Sequence, residues 1–163
     1  MCIFVCNDLN VNKIDILQNY RKKDLETCAV ELETGASKFI VLSIYRAPTG
    51  DFNQFFKKLD GTLKYLYKPK TEFLICGDIN MDYFLESEWK KHLSSLLTTY
   101  NLSHTVDFAT RIQNESSTAI DNIFVNNSRL GSTITLPLIN GLSDHDAQLL
   151  AINNIFAVTK KFP

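Results

Sequence analysis

The stretch Phe39-Ile40-Val41-Leu42-Ser43-Ile44-Tyr45 constrains the fold more than any other part of the chain. A near-continuous apolar run of this kind is expected of a central strand covered on both faces, and Pro48 and Gly50 stop it. Asp51 then caps a helix. Phe52, Phe55, Phe56, Leu59, Leu63 and Leu66 recur at three- and four-residue spacings and make one apolar stripe. Gly61 weakens this helix by about 1 kcal/mol relative to alanine, and Pro69 lies just beyond its end. Phe73 to Cys76 reads as a short buried strand that runs into Gly77. Before the central run, Asp24 to Glu33 alternates as a half-buried strand does, and Met1 to Val5 also reads as a strand. After it, Trp89, Leu93, Leu96, Leu97 and Tyr100 mark a second amphipathic helix, with Asn101 as its stop. Strand-like pieces follow at Thr118 to Val125, Thr133 to Leu138 and Ala147 to Ile152. This order predicts a mixed sheet covered by helices, α/β or α+β, in one domain over residues 1–163.

Composition narrows the function. Lys plus Arg is 17 and Asp plus Glu is 18, a net charge of −1, so a generally basic nucleic-acid coat is excluded and a polyanion would need a local site. The apolar runs all fall short of the roughly 18 residues that a membrane-spanning helix needs. The opening Met1 to Cys6 has no basic region and meets Asp8 at once, which argues against a signal peptide. Cys2, Cys6, Cys28 and Cys76 are too scattered for a disulfide framework and read as buried free thiols in a reducing compartment. The Asn-x-Ser triplets at Asn101, Asn114 and Asn126 then carry no glycosylation meaning. The lysine pairs at 57–58, 90–91 and 160–161 and the run Arg21-Lys22-Lys23 read as solvated surface.

Three clusters place acids, amides or an imidazole after apolar strands. In Gly77-Asp78-Ile79-Asn80 an extended backbone projects Asp78 and Asn80 together. A carboxylate with an amide suits a hard cation such as Mg²⁺ and its water, or the pair forms an Asx turn that ends the strand. In Ile120-Asp121-Asn122-Ile123-Phe124 a carboxylate inside an apolar strand is expensive unless paired. Asp121 either orients a histidine or faces water from an edge strand. In Ser143-Asp144-His145-Asp146 two carboxylates flank an imidazole. His92 reads as a solvent-side helix residue and His104 as a turn residue.

The order of these motifs, preceded by Tyr45-Arg46-Ala47-Pro48, resembles the endonuclease/exonuclease/phosphatase superfamily, the DNase I-like fold. The pair Thr110-Arg111 and the run Ser143-Asp144-His145-Asp146-Ala147-Gln148 are most similar to the apurinic-like endonuclease domain of non-LTR, LINE-type retrotransposon proteins. The resemblance implies an α+β four-layer sandwich, two sheets face to face with helices outside. It implies phosphodiester hydrolysis that depends on Mg²⁺, with Mn²⁺ as a substitute, and that nicks target DNA for reverse transcription. By the same resemblance His145 contacts the scissile phosphate, Asp121 orients its ring, and Tyr45 donates its hydroxyl to the phosphate. Asp78 and Asn80 position or activate the attacking water. Asp144 and His145 stand at the metal, while Arg111, Thr110 and Asn122 contact DNA. The implied partners are DNA and a reverse transcriptase domain of a parent polyprotein. The implied site of action is intracellular and nuclear, away from membranes.

Members of this family carry an Asn motif and a metal-binding Glu well upstream of Tyr-x-x-Pro. Only 44 residues precede Tyr45 here, and Glu26, Glu31 and Glu33 come too late in the order to be that ligand. The expectation is a domain truncated at its N-terminus, the C-terminal two-thirds or so, and a poor nuclease as written. Two other readings stand beside the endonuclease: a catalytically silent remnant or binding module of the same fold, and a phosphatase for lipid or inositol phosphates.

Overall fold

The computed structural model describes residues 1–16, 23–34, 37–139 and 141–153. In chain order the elements are β1 (Asn10–Ile14), β2 (Glu26–Thr34), β3 (Ser37–Tyr45), α1 (Phe52–Leu66), β4 (Thr71–Asp78) and α2 (Glu88–Thr99). Then come β5 (Leu102–His104), β6 (Arg111–Gln113), β7 (Ser116–Thr118), β8 (Asp121–Asn126), a 3-10 turn (Asn127–Ser132), β9 (Thr133–Leu138) and β10 (Ala147–Ile152). A six-stranded sheet in the order β1-β2-β3-β4-β8-β5 forms the body of the molecule. Only β3 and β4 run parallel in it; the other neighbours are antiparallel. The parallel pair requires a crossover, and α1 supplies it.

Helix α1 begins where the Asp51 side chain accepts the Gln54 N–H at 2.8 Å, so a backbone donor that the helix itself leaves unpaired is satisfied. The apolar stripe turns Phe55, Phe56, Leu59, Leu63 and Leu66 into the core, against Ile40, Leu42, Ile44, Phe73 and Ile75. Helix α2 adds Leu93 and Leu97 to the same core and is capped by Ser87, whose side chain accepts the Lys90 N–H. Asn101, with φ 58°, breaks the chain out of α2 in the left-handed region that asparagine tolerates. The alternate residues of the central strands face the other way. Leu74, Cys76, Ile123 and Val125 meet Val106, Phe108 and Leu150 there, so the β9–β10 pair covers the face opposite the helices. The described residues thus form a helix layer, the six-stranded sheet and the two-stranded β9–β10 sheet over its other face, with β6 and β7 as a separate antiparallel pair: α+β, as expected.

Several local expectations change. Residues 1–6 form no strand; the first strand is β1, paired antiparallel to β2. Phe4 is 92% exposed, with no sheet face to receive it, whereas the more polar β1 is held by backbone pairing. In β2 the alternation fails at Ala29 and Val30, which are both buried because the sheet is covered on both faces there. The cysteines are free, but Cys2 and Cys6 are exposed and Cys28 and Cys76 only half-buried. Lys58 is buried rather than solvated and donates to Asp24 at 2.7 Å, tying α1 to the entrance of β2. Lys90 is half-buried and donates to the Tyr83 carbonyl. His104 ends β5 instead of lying in a turn, and burial lowers its pKa. Arg21, Lys22, Lys160 and Lys161 lie outside the described residues. No helix among the described residues is long and apolar enough to cross a membrane.

Candidate active site

Strand register builds the site. Tyr45 closes β3 beside Asp78, the last residue of β4, and Asp78 lies opposite Asp121, the first residue of β8. Alternation along each strand puts all three on the face away from the helices. Asp121 therefore opens its strand rather than lying within it. Nor is that strand an edge, since β8 runs between β4 and β5.

Beyond Asp78 the chain turns sharply. Asp78 Oδ1 accepts the Asn80 backbone N–H at 2.8 Å and Oδ2 accepts Asn80 Nδ2 at 3.1 Å. Asn80 sits at φ 47°. The Asx turn and the paired projection of carboxylate and amide are thus one arrangement. Burial pushes the Asp78 carboxyl above its usual range, and the nearby Asp121 adds to this. The Asn80 N–H, His145 and Arg46 pull the other way.

Asp121 is held from two sides. Its Oδ2 accepts the Thr110 hydroxyl at 2.9 Å and lies 2.9 Å from His145 Nδ1. Thr110 Oγ1 also accepts the N–H groups of Ile120 and Asp121. The loop that carries His145 docks along β6: Ile112 N–H donates to the Asp144 carbonyl and Asp146 N–H to the Thr110 carbonyl, both at 2.8 Å. Ser143 Oγ accepts the His145 N–H and donates to the His145 carbonyl. Backbone pairing, not side-chain packing alone, fixes the imidazole.

Asp78, Asp121 and His145 offer ligand atoms within 4.8 Å of one another. Asp144 is not among them. Its Oδ2 accepts Arg111 Nε at 2.7 Å, and that guanidinium holds the Asp144 carboxyl below its ordinary value. Thr110 and Asn122, expected at the DNA surface, are both fully buried. Thr110 instead braces Asp121, and Asn122 turns its Oδ1 back to the Ile123 N–H.

One residue of the site was given no role from sequence. Arg46 is 1% exposed. Its Nε donates to the Ile79 carbonyl at 2.8 Å, Nη1 to those of Ala47 and Gly50, and Nη2 to that of Asn80 at 2.6 Å. The signal was present. Strand alternation puts Arg46 on the same side as Leu42 and Ile44, where a charged residue must find partners inside.

Known proteins share this arrangement of elements. The endonuclease domain of TRAS1, a telomere-specific non-LTR retrotransposon, matches with a TM-score of 0.70 at 15% identity, over 91% of this chain and 70% of that domain. A 3′-5′ exonuclease from Neisseria meningitidis matches at 0.59 and 12% identity, over 80% of this chain and 71% of its own. An endonuclease/exonuclease/phosphatase family protein from Bacteroides thetaiotaomicron matches at 0.54 and 13% identity, over 77% of this chain and 54% of its own. At such identities these likenesses establish the fold. A search of curated protein sequences found no match. The sequence itself matches the model of the endonuclease–reverse transcriptase family over residues 39–149, from the central strand to β10 and with every residue of the site inside it. The chain therefore belongs to the endonuclease–reverse transcriptase family, within the DNase I-like superfamily of endonucleases, exonucleases and phosphatases.

Proposed function

We propose that the chain hydrolyses phosphodiester bonds in DNA with a divalent cation, as the endonuclease of a non-LTR retrotransposon that nicks target DNA for reverse transcription. The observation that carries this reading is the Asp121–His145 pair standing beside the Asp78–Asn80 turn at one end of neighbouring strands. Phosphoryl transfer asks for positioning and charge neutralisation more than for covalent chemistry. His145, anchored through Nδ1, presents Nε2 to a phosphate oxygen, and Asp121 keeps the ring in that orientation. Asp78 and Asn80 orient the attacking water. Tyr45 donates its hydroxyl to the phosphate. Arg111, about one-third exposed, contacts the DNA backbone.

Carboxylate and amide oxygens gathered with an imidazole suit Mg²⁺ or Mn²⁺. Asp78 with Asn80 would hold the ion, and Asp144 would join by exchanging Arg111 for it. Once bound, it would neutralise charge on the phosphate. Asp121 Oδ2 already accepts from Thr110 and pairs with His145, and both Asp78 oxygens already accept from Asn80. A cation therefore competes with existing hydrogen bonds, and slow turnover is expected. A reverse transcriptase domain of the same polyprotein is the partner that the family's description supports.

The test is nicking of supercoiled plasmid by the purified chain. Slow relaxation is expected in Mg²⁺ or Mn²⁺, abolished by EDTA and lowered about 100-fold or more in His145→Ala. DNA binding without cleavage by a folded protein in either metal would make it a binding module. Phosphate release from lipid or inositol phosphates without nicking would make it a phosphatase. Either result defeats the proposal.

A further inference from the structure

Arg46 lies behind the Asp78–Asn80 turn, almost wholly buried, with its guanidinium donors spent on backbone carbonyls. Its acceptors are backbone carbonyls from two separate loops: Ala47 and Gly50 after β3, and Ile79 and Asn80 after β4. The two loops leave the ends of the parallel pair and share no other element. Their direct backbone link is the Arg46 N–H, which donates to the Asp78 carbonyl at 3.0 Å. Asn80 Nδ2 returns the connection by donating to the Arg46 carbonyl at 2.8 Å. Backbone and side chain of one arginine therefore hold Asp78, Ile79 and Asn80 together.

A second observation supports the first. The guanidinium carbon lies 3.8 Å from the centroid of the Phe52 ring, and Phe52 stacks on Trp89 at 5.0 Å with 13° between the ring planes. The column joins the first residue of α1 to the second of α2, so both helices back the arginine. A planar fork is required here. A lysine ammonium has three donors on a flexible stem and cannot span carbonyls lying on both sides of it in one plane. The arrangement also maintains Asn80 in the left-handed region, which costs energy unless its surroundings impose it.

We infer that Arg46 is the positioning residue of this site, a buried guanidinium clamp that fixes the Asp78–Asn80 turn and so sets where the attacking water stands. The inference rests on the reaction proposed above, yet its structural half is measurable without catalysis. In Arg46→Ala the Asn80 N–H, now donated to Asp78, should exchange with solvent about tenfold faster or more, while Phe73 and Ile75 in the body of β4 keep their protection. Emission from Trp89, the chain's single tryptophan, should change as its column loses its inner end.

In the nicking assay, kcat should fall about 100-fold, the scale expected when a reacting group is misplaced, with KM nearly unchanged because the clamp does not touch DNA. Low, non-denaturing guanidinium should restore part of the rate to Arg46→Ala. Arg46→Lys keeps the charge without the fork and covers the case in which the alanine variant does not fold. It should lose most of the rate without rescue. Unchanged Asn80 exchange in both variants, or full kcat in either, would overturn the inference. If the native chain shows no nicking while Asn80 still loses protection in the variants, the proposed reaction fails and the clamp stands.

Discussion

At Gly77 the β4 strand passes so close to its neighbour that a β-carbon would lie 1.8 Å from the Ile44 carbonyl oxygen, and the backbone stands at φ 145°. Glycine alone tolerates both conditions. Gly77→Ala should therefore cost about 3 kcal/mol from backbone strain and overpacking, seen as a lower urea midpoint. The effect should also reach Asp78, the next residue. Steric facts of this kind are half legible in a sequence: Gly77 was visible as the end of a buried strand, but the carbonyl facing it was not. Arg46 shows the same limit. Its parity in the strand flagged a problem, while the answer, carbonyls from residues 47, 50, 79 and 80, exists only after two loops have come together. Asp121 and His145 were each readable as a group in need of a partner, one an acid in an apolar segment and one an imidazole between acids, and only the family resemblance joined them to each other. Thr110 and Asn122 were misplaced at the surface because a small polar side chain looks alike whether it meets solvent or braces a backbone.

The two helices and the central strands were legible because their periodicity is carried by large apolar residues whose burial dominates the energy. β1 was not: Asn10, Asn12 and Lys13 offer no apolar pattern, and the strand exists through its ladder to β2. Nor was the attachment of α1 to the start of β2. The Lys58–Asp24 pair lies almost fully inside, with side chains 10% and 4% exposed. The hydrogen bond from Lys58 lowers the Asp24 carboxyl below its ordinary range, the Asp51 N–H helps, and burial opposes both. A carboxyl lowered on folding adds stability above its unfolded value, near 4, and loses it as pH falls through the folded one. Asp24→Asn should accordingly destabilise the protein by about 3 kcal/mol at pH 7, because it leaves a buried ammonium without its counter-charge. Urea midpoints of the two proteins should converge as the buffer is taken well below the unfolded value. A constant difference across that range would show that the pair contributes packing rather than charge.

Among the described residues, the outer face of the β9–β10 sheet is exposed. Ile134, Leu136, Leu138 and Leu149 are each 46–56% exposed, and Leu136 pairs with Leu149, so all four share a face. An apolar surface of this kind promotes association. Sedimentation should show self-association that rises with concentration and is reduced in Leu136→Lys, with nicking unaffected because this face carries none of the residues of the site. The row of Tyr45, Asp78 and Asp121 has a different consequence, one of timing. Its members are contributed in turn by three strands, and the imidazole that completes the pair with Asp121 arrives only with the loop before β10. Contacts so distant in sequence form late and slowly during folding. During synthesis, too, a ribosome completes the sheet's central strands well before it adds His145. A nascent chain therefore carries the Asp78–Asn80 turn early and the His145 ring much later. The Asp121–His145 pair cannot form until the loop before β10 has been made, however early the strands beneath it are complete.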